Sequence, residues 1–107
     1  MIYELRSYEA MPGKLDAVNA RFRDHTLKLL EKHGATNVGY WTFDVGRSDE
    51  LVYILGFPSA EARVKAWDAF RNDPEWHRVK AETEADGPIV ATVKNWLMSP
   101  TDYSPLQ

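Results

Sequence analysis

The chain has no cysteine among its 107 residues, which excludes disulfides and thiolate metal sites and suits a reducing compartment. It has no apolar run approaching the roughly 18 residues of a membrane span. Its opening "MIYELRSY" reads as a strand and lacks the charged and apolar regions of a signal peptide. It has no excess of positive charge: 13 Lys and Arg against 16 Asp and Glu leave a net charge of -3. No basic run offers a footprint for nucleic acid. It has only three histidines, scattered and in neither HxxxE nor HExxH spacing, so no metal site is predicted. These absences predict a soluble cytoplasmic protein that engages neither membrane nor nucleic acid.

What the chain does have is aromatic weight, with four Trp, five Tyr and four Phe in a length that suits one core. Residues 2 to 9, "IYELRSYE", read as a strand. After "MPG", with Gly13 as the expected N-cap, apolar residues recur at helical spacing: Leu15, Val18, Phe22, Thr26, Leu29 and Leu30. Gly34 is the expected left-handed end of that helix. Strands are predicted at 38–45 and 51–57, joined by a hairpin loop, "GRSDE". Ser59 is the N-cap of a second helix, whose predicted buried stripe is Val64, Trp67 and Phe70.

Pro74 stands in the middle of the helical pattern that follows. Asp73 as N-cap and Pro74 at the first helical position make it a restart rather than an interruption. Trp76 then leads a new stripe through Val79 and Thr83, while His77, about 100° around the helix, need not share its burial. A last strand is predicted at 89–98. The element order is β-α-β-β-α-β, which predicts an α+β, ferredoxin-like fold with a four-stranded antiparallel sheet backed by helices on one face. Residues 1–99 form the domain, and 100–107 form an extended, proline-containing tail.

The strands carry large apolar residues on both parities, as Tyr3 and Leu5 do against Ile2 and Tyr8. Both sheet faces therefore need cover. The chain is too short to supply a second layer, so a homodimer packed sheet against sheet is expected, with Tyr103 and Leu106 of the tail packed on the body or the partner. Alternation on the first strand groups Glu4, Arg6 and Tyr8 on one face. If that face lies under the partner, the charges form either a structural ion pair or the polar floor of a pocket. His33, in the last helical turn, suits the helix dipole, and His25 sits at the margin of the apolar stripe as a half-buried packing residue.

Four pieces taken together, "MIYELRSYEAMPGKLDAV", "HGATNVGYW", "DPEW" and "YSPL", resemble the NIPSNAP family across nearly the whole chain. That resemblance implies a dimeric α+β barrel, a superfamily that also holds cofactor-independent monooxygenases, small isomerases and haem-degrading monooxygenases. It implies no particular reaction. The leading expectation is a homodimer with a pocket for a small apolar or aromatic molecule, using Glu4, Arg6, Tyr8, Trp41, Trp67 and His77, and with no cofactor. The alternative is a cofactor-independent monooxygenase or isomerase. Haem is the less favoured reading. In the haem-degrading members, a helix Trp and a His ten residues later flank the porphyrin, with a first-strand Asn completing the set. Trp67 and His77 have that spacing here, but the strand position is Ser7.

Overall fold

The structure, a computed structural model, describes residues 1–107. Four strands, β1 (Ile2–Ala10), β2 (Thr36–Thr42), β3 (Glu50–Phe57) and β4 (Val90–Met98), make one antiparallel sheet in the order β2-β3-β1-β4. Helices α1 (Leu15–Arg21), α2 (Leu27–Lys32), α3 (Ala60–Arg71) and α4 (Pro74–Thr83) all lie on one face of it. The molecule is a slab only 19 Å thick, the depth of one helix layer on one sheet. The expected α+β, ferredoxin-like arrangement is thus what the chain adopts.

Local chemistry sets the element ends. Ser59 caps α3, its hydroxyl accepting from the Ala62 N–H at 3.1 Å. Asp73 caps α4 by accepting from the Glu75 N–H at 2.9 Å, with Pro74 as the first helical residue, so the restart at Pro74 stands. Gly34, at φ +100°, ends α2 in a Schellman turn, with Ala35 N–H bonded to Leu30 and Gly34 N–H to Glu31. Gly13 is not a cap. It turns the chain at φ +75°, and Lys14 occupies the cap position without a side-chain bond. His33 does more than face the helix dipole: its Nε2 meets Asp73 at 2.7 Å, tying the end of α2 to the start of α4.

Between α1 and α2 the helix widens into a π turn, Phe22–Thr26, which the apolar spacing did not announce. The Thr26 hydroxyl donates to the Arg21 carbonyl at 3.3 Å, a side-chain bond that spans the wide turn. Val18, Phe22, Leu29 and Leu30 are buried as expected, against Leu51, Tyr53, Leu55 and Phe57 of β3. On α3 the buried residues are Ala66, Trp67 and Phe70, and Val64 is exposed, which corrects the predicted stripe. Trp76 is half-buried against Phe70, ring centres 4.7 Å apart, and Val79 is fully buried.

The other sheet face has no such cover. It carries Leu5, Val52, Ile54, Trp41, Trp96 and Met98, with Trp41 and Trp96 each 50 % exposed. The tail bends through a turn, Ser104 N–H to Thr101 carbonyl, and comes back over one corner of this face. There the Tyr3 hydroxyl donates to the Gln107 backbone carbonyl at 2.7 Å, and Leu106 helps wall a groove of about 280 Å³ above Tyr3, Ile54 and Met98. Tyr103 is not packed on its own body and stays 83 % exposed. No helix is long and apolar enough to cross a membrane.

Candidate functional site

Glu4 stands at the centre of the sheet's helix side, with none of its surface exposed. Its carboxylate accepts from Arg63 Nε and Nη2 at 2.9 Å each, Trp67 Nε1 at 2.8 Å, Asn95 Nδ2 at 2.9 Å and Arg6 Nη1 at 3.0 Å. Arg63 and Trp67 are one helical turn apart on α3 and so face the same strand. Asn95 comes from β4, directly across from Arg6. Burial alone would push the Glu4 carboxyl up. The hydrogen bonds from Arg63, Asn95 and Trp67, with the charge of Arg6, outweigh it and hold the group down at about 2. A carboxylate so saturated is an anchor and a poor general base.

Arg6 extends the network toward β3. Its Nε donates to the Tyr53 hydroxyl at 2.8 Å, Tyr53 in turn donates to Tyr8 at 3.0 Å, and the guanidinium lies 4.4 Å from the centre of the Trp67 ring. Burial first, and then the neighbouring Tyr8, raise the Tyr53 phenol well above its ordinary value. Two guanidiniums, Arg6 and Arg63, share one carboxylate, which leaves a positive charge in excess inside this layer.

The predicted site residues therefore divide. Glu4, Arg6, Tyr8 and Trp67 come together, but beneath the helices and not on the open face where a partner would pack. The alternation grouped them correctly and their face was misassigned. Trp41 lies on the opposite face. His77 is exposed, with Nε2 donating to the Arg71 carbonyl at 2.6 Å. Ser7 points away from Trp67 to the open face, where it bonds Glu50. Trp67, His77 and Ser7 do not converge, so the residues present do not fit the porphyrin arrangement. The histidines stay apart, His25 half-buried beside Arg21 and Thr83 as expected.

The sequence offers no direct sign of a second region, between the sheet and the helices, that has room for a molecule. Beneath the π turn, Asn19, Phe22, Arg23 and Leu27 roof a cleft of about 230 Å³ whose floor is Tyr40 and Leu51. Asn19, Arg23 and Leu27 recur four apart, a single row along the helix, and that spacing was the available signal. The floor is rigid. Tyr40 stacks on Tyr53 with ring centres 4.9 Å apart and planes 13° from parallel, and Phe22 packs against both rings. The Tyr40 hydroxyl donates to Asn37 at 2.6 Å, and Asn37 donates to the Leu27 carbonyl at 3.0 Å, fixing β2 to the helix. Burial, then Tyr8, raise the Tyr40 phenol, so it stays protonated at neutral pH.

A single sheet with all its helices on one side, and an aromatic cleft between the layers, places the chain among ferredoxin-like α+β domains. Within that class it belongs to the NIPSNAP family, whose profile matches residues 3–105. It is similar to the Agrobacterium tumefaciens protein Atu4242, a NIPSNAP family protein of unknown function, at 27 % identity and a TM-score of 0.87 over all of both chains. A NIPSNAP domain protein from Burkholderia xenovorans shares 20 % identity with a TM-score of 0.84, over 98 % of this chain and 99 % of the other. A Nitrosomonas europaea protein described as a candidate antibiotic biosynthesis monooxygenase shares the fold alone, at 11 % identity and TM-score 0.66, over 94 % of this chain and 98 % of that one. No curated protein matches the chain.

Proposed function

We propose that the protein works as a homodimer, closed sheet against sheet, in which each subunit binds a small, partly apolar or aromatic molecule in the cleft under the π turn. The observation that carries this reading is the cleft itself, rigidly floored by stacked tyrosines and roofed by a helix segment of rare geometry. The dimer follows from the apolar, half-exposed second face of a two-layer slab and would bury more than about 2,000 Å² in total. Binding of this kind needs no cofactor. The enzymatic alternative, a cofactor-independent monooxygenase or isomerase, needs an acid–base group poised near neutral pH. The ionisable groups lining the cleft are Tyr40, whose phenol burial pushes up, and Arg23, with no carboxylate or imidazole beside them to take that role, which favours binding over turnover.

Native mass spectrometry of protein purified from its own host tests both parts. The expected spectrum is a dimer carrying one added small mass per subunit. A monomer at micromolar concentration would overturn the assembly. A dimer without added mass, whose Phe22 and Tyr40 resonances do not respond to a panel of small aromatic compounds, would overturn the pocket.

A further inference from the structure

We infer that the cleft under the π turn takes a small aromatic acid, its ring against Tyr40, Phe22 and Leu51 and its anionic group at Arg23 and Asn19. The inference rests on the binding role proposed above and adds the charge and shape of the ligand.

Three observations point to an anion. The first is the composition of the cleft. Its polar lining is the guanidinium of Arg23 and the carboxamide of Asn19, with no carboxylate among the lining residues. The acids nearest in sequence are directed elsewhere: Asp24 lines a separate hollow with Arg21 and His25, and Asp16 lines another beside Met11 and Ser48. The second is that Arg23 is unused. Arg6, Arg21, Arg47, Arg63, Arg71 and Arg78 all have carboxylate partners, and Arg23 has none. The third lies behind the floor. Tyr40 stacks on Tyr53, which accepts from Arg6, so the excess positive charge of the Glu4 cluster sits one ring beyond the cleft. Buried charge acts over such distances with little screening.

Shape points to a planar molecule. Phe22, Tyr40 and Leu51 offer flat, rigid apolar contacts, where aromatic rings gain from offset or edge packing. A dry cavity of about 150 Å³ holds benzene, so about 230 Å³ admits one or two fused rings with a short polar group. Arg23 stands at the solvent edge of the helix, so the anionic group faces out while the ring enters first. A planar guanidinium pairs with a carboxylate through two parallel hydrogen bonds, a geometry that an alcohol or amide does not reproduce.

The test compares 2-naphthoate with 2-naphthalenemethanol, an uncharged molecule of the same size, by amide NMR titration of the full chain. Arg23→Gln is measured in parallel. Arg23 is exposed and unpaired, so this variant folds. The expected result is that both compounds shift resonances around Phe22, Tyr40 and Leu51, with naphthoate about ten-fold tighter. Arg23→Gln should remove that advantage and leave the alcohol's affinity unchanged, and added salt should weaken naphthoate alone. Equal affinities for acid and alcohol, or an Arg23→Gln variant that binds naphthoate as well as the native chain, would overturn the inference while leaving an apolar binding cleft in place. If neither compound perturbs these residues, the proposed binding role fails with it.

Discussion

The two faces of β1 reverse the usual distribution of polarity. Glu4, Arg6 and Tyr8 point into the chain's own core, and Tyr3 and Leu5 point out of it. The charged side is covered by helices and saturated with hydrogen bonds, whereas the open side, polar at Ser7 and Glu9 but apolar at Tyr3 and Leu5, has only the tail across its apolar corner. Charge is tolerated inside because every Glu4 lone pair has a donor and both arginines have acceptors. Apolar surface outside has no such local remedy, and only another layer can remove it from water. The difference teaches that buried charge can be settled by local partners within the slab, while exposed apolar surface cannot.

The comparison breaks most severely at Glu4. Glu4→Leu strands Arg6, Arg63, Asn95 and the Trp67 N–H in the core, and should destabilise the fold by about 3–5 kcal/mol in urea unfolding. Adding Arg6→Met should restore most of that loss, because the remaining Arg63 is already 21 % exposed and can turn to water. A double variant as unstable as the single would mean that the cluster is not held together by this charge balance.

Acid tests the same side without mutation. The Glu4 carboxyl titrates at 4.5 when unfolded and at about 2 when folded. Its contribution, about 3 kcal/mol, is complete above the unfolded value and is lost as pH falls toward 2. Unfolding midpoints followed from pH 5 to 2 should fall more steeply for the native chain than for Glu4→Gln. Parallel slopes would contradict the assignment.

On the other face, Trp96→Lys should leave the isolated subunit's fold intact while weakening self-association by about 2 kcal/mol, roughly thirty-fold in dissociation constant. Sedimentation over a concentration series reads this directly. Unchanged assembly would move the interface away from the open face. The smallest effect is expected at its corner, where Tyr3→Phe removes the bond to the Gln107 carbonyl at a cost of about 1 kcal/mol. Amide exchange in the tail should then quicken without a change in the sheet.

Much of the framework was legible in the sequence because local chemistry fixes it. Ser59, Asp73–Pro74 and Gly34 announced helix ends through capping and backbone preference, which act within a few residues. Period-2 alternation likewise grouped Glu4, Arg6 and Tyr8. It does not assign a face when neighbouring strands are apolar on both parities, and here the deciding partners, Arg63 and Asn95, lie about sixty and ninety positions away. Arg63 stands one turn before Trp67, and pairing the two would have placed the charge under the helices. The cleft was harder to foresee. Its roof includes a π turn that no local motif announces, and the Phe22 ring at its start packs on Tyr40 and Tyr53, residues distant in the sequence. His77 stands apart from Trp67 because spacing along the chain does not survive the helix restart at Pro74, after which His77 is exposed and bonded to the Arg71 carbonyl.

The π turn also bears on how this chain could change length. Five residues, Phe22–Thr26, occupy a stretch where a tighter helix would use fewer, so the segment holds surplus chain. A variant with one residue removed here could run as an unbroken α-helix from Leu15 to Lys32 and still meet β2 through the same Schellman end. It would keep the framework and give up the roof of the cleft. A single codon lost at this point separates a fold with an open cleft between its layers from one in which that cleft has lost its roof.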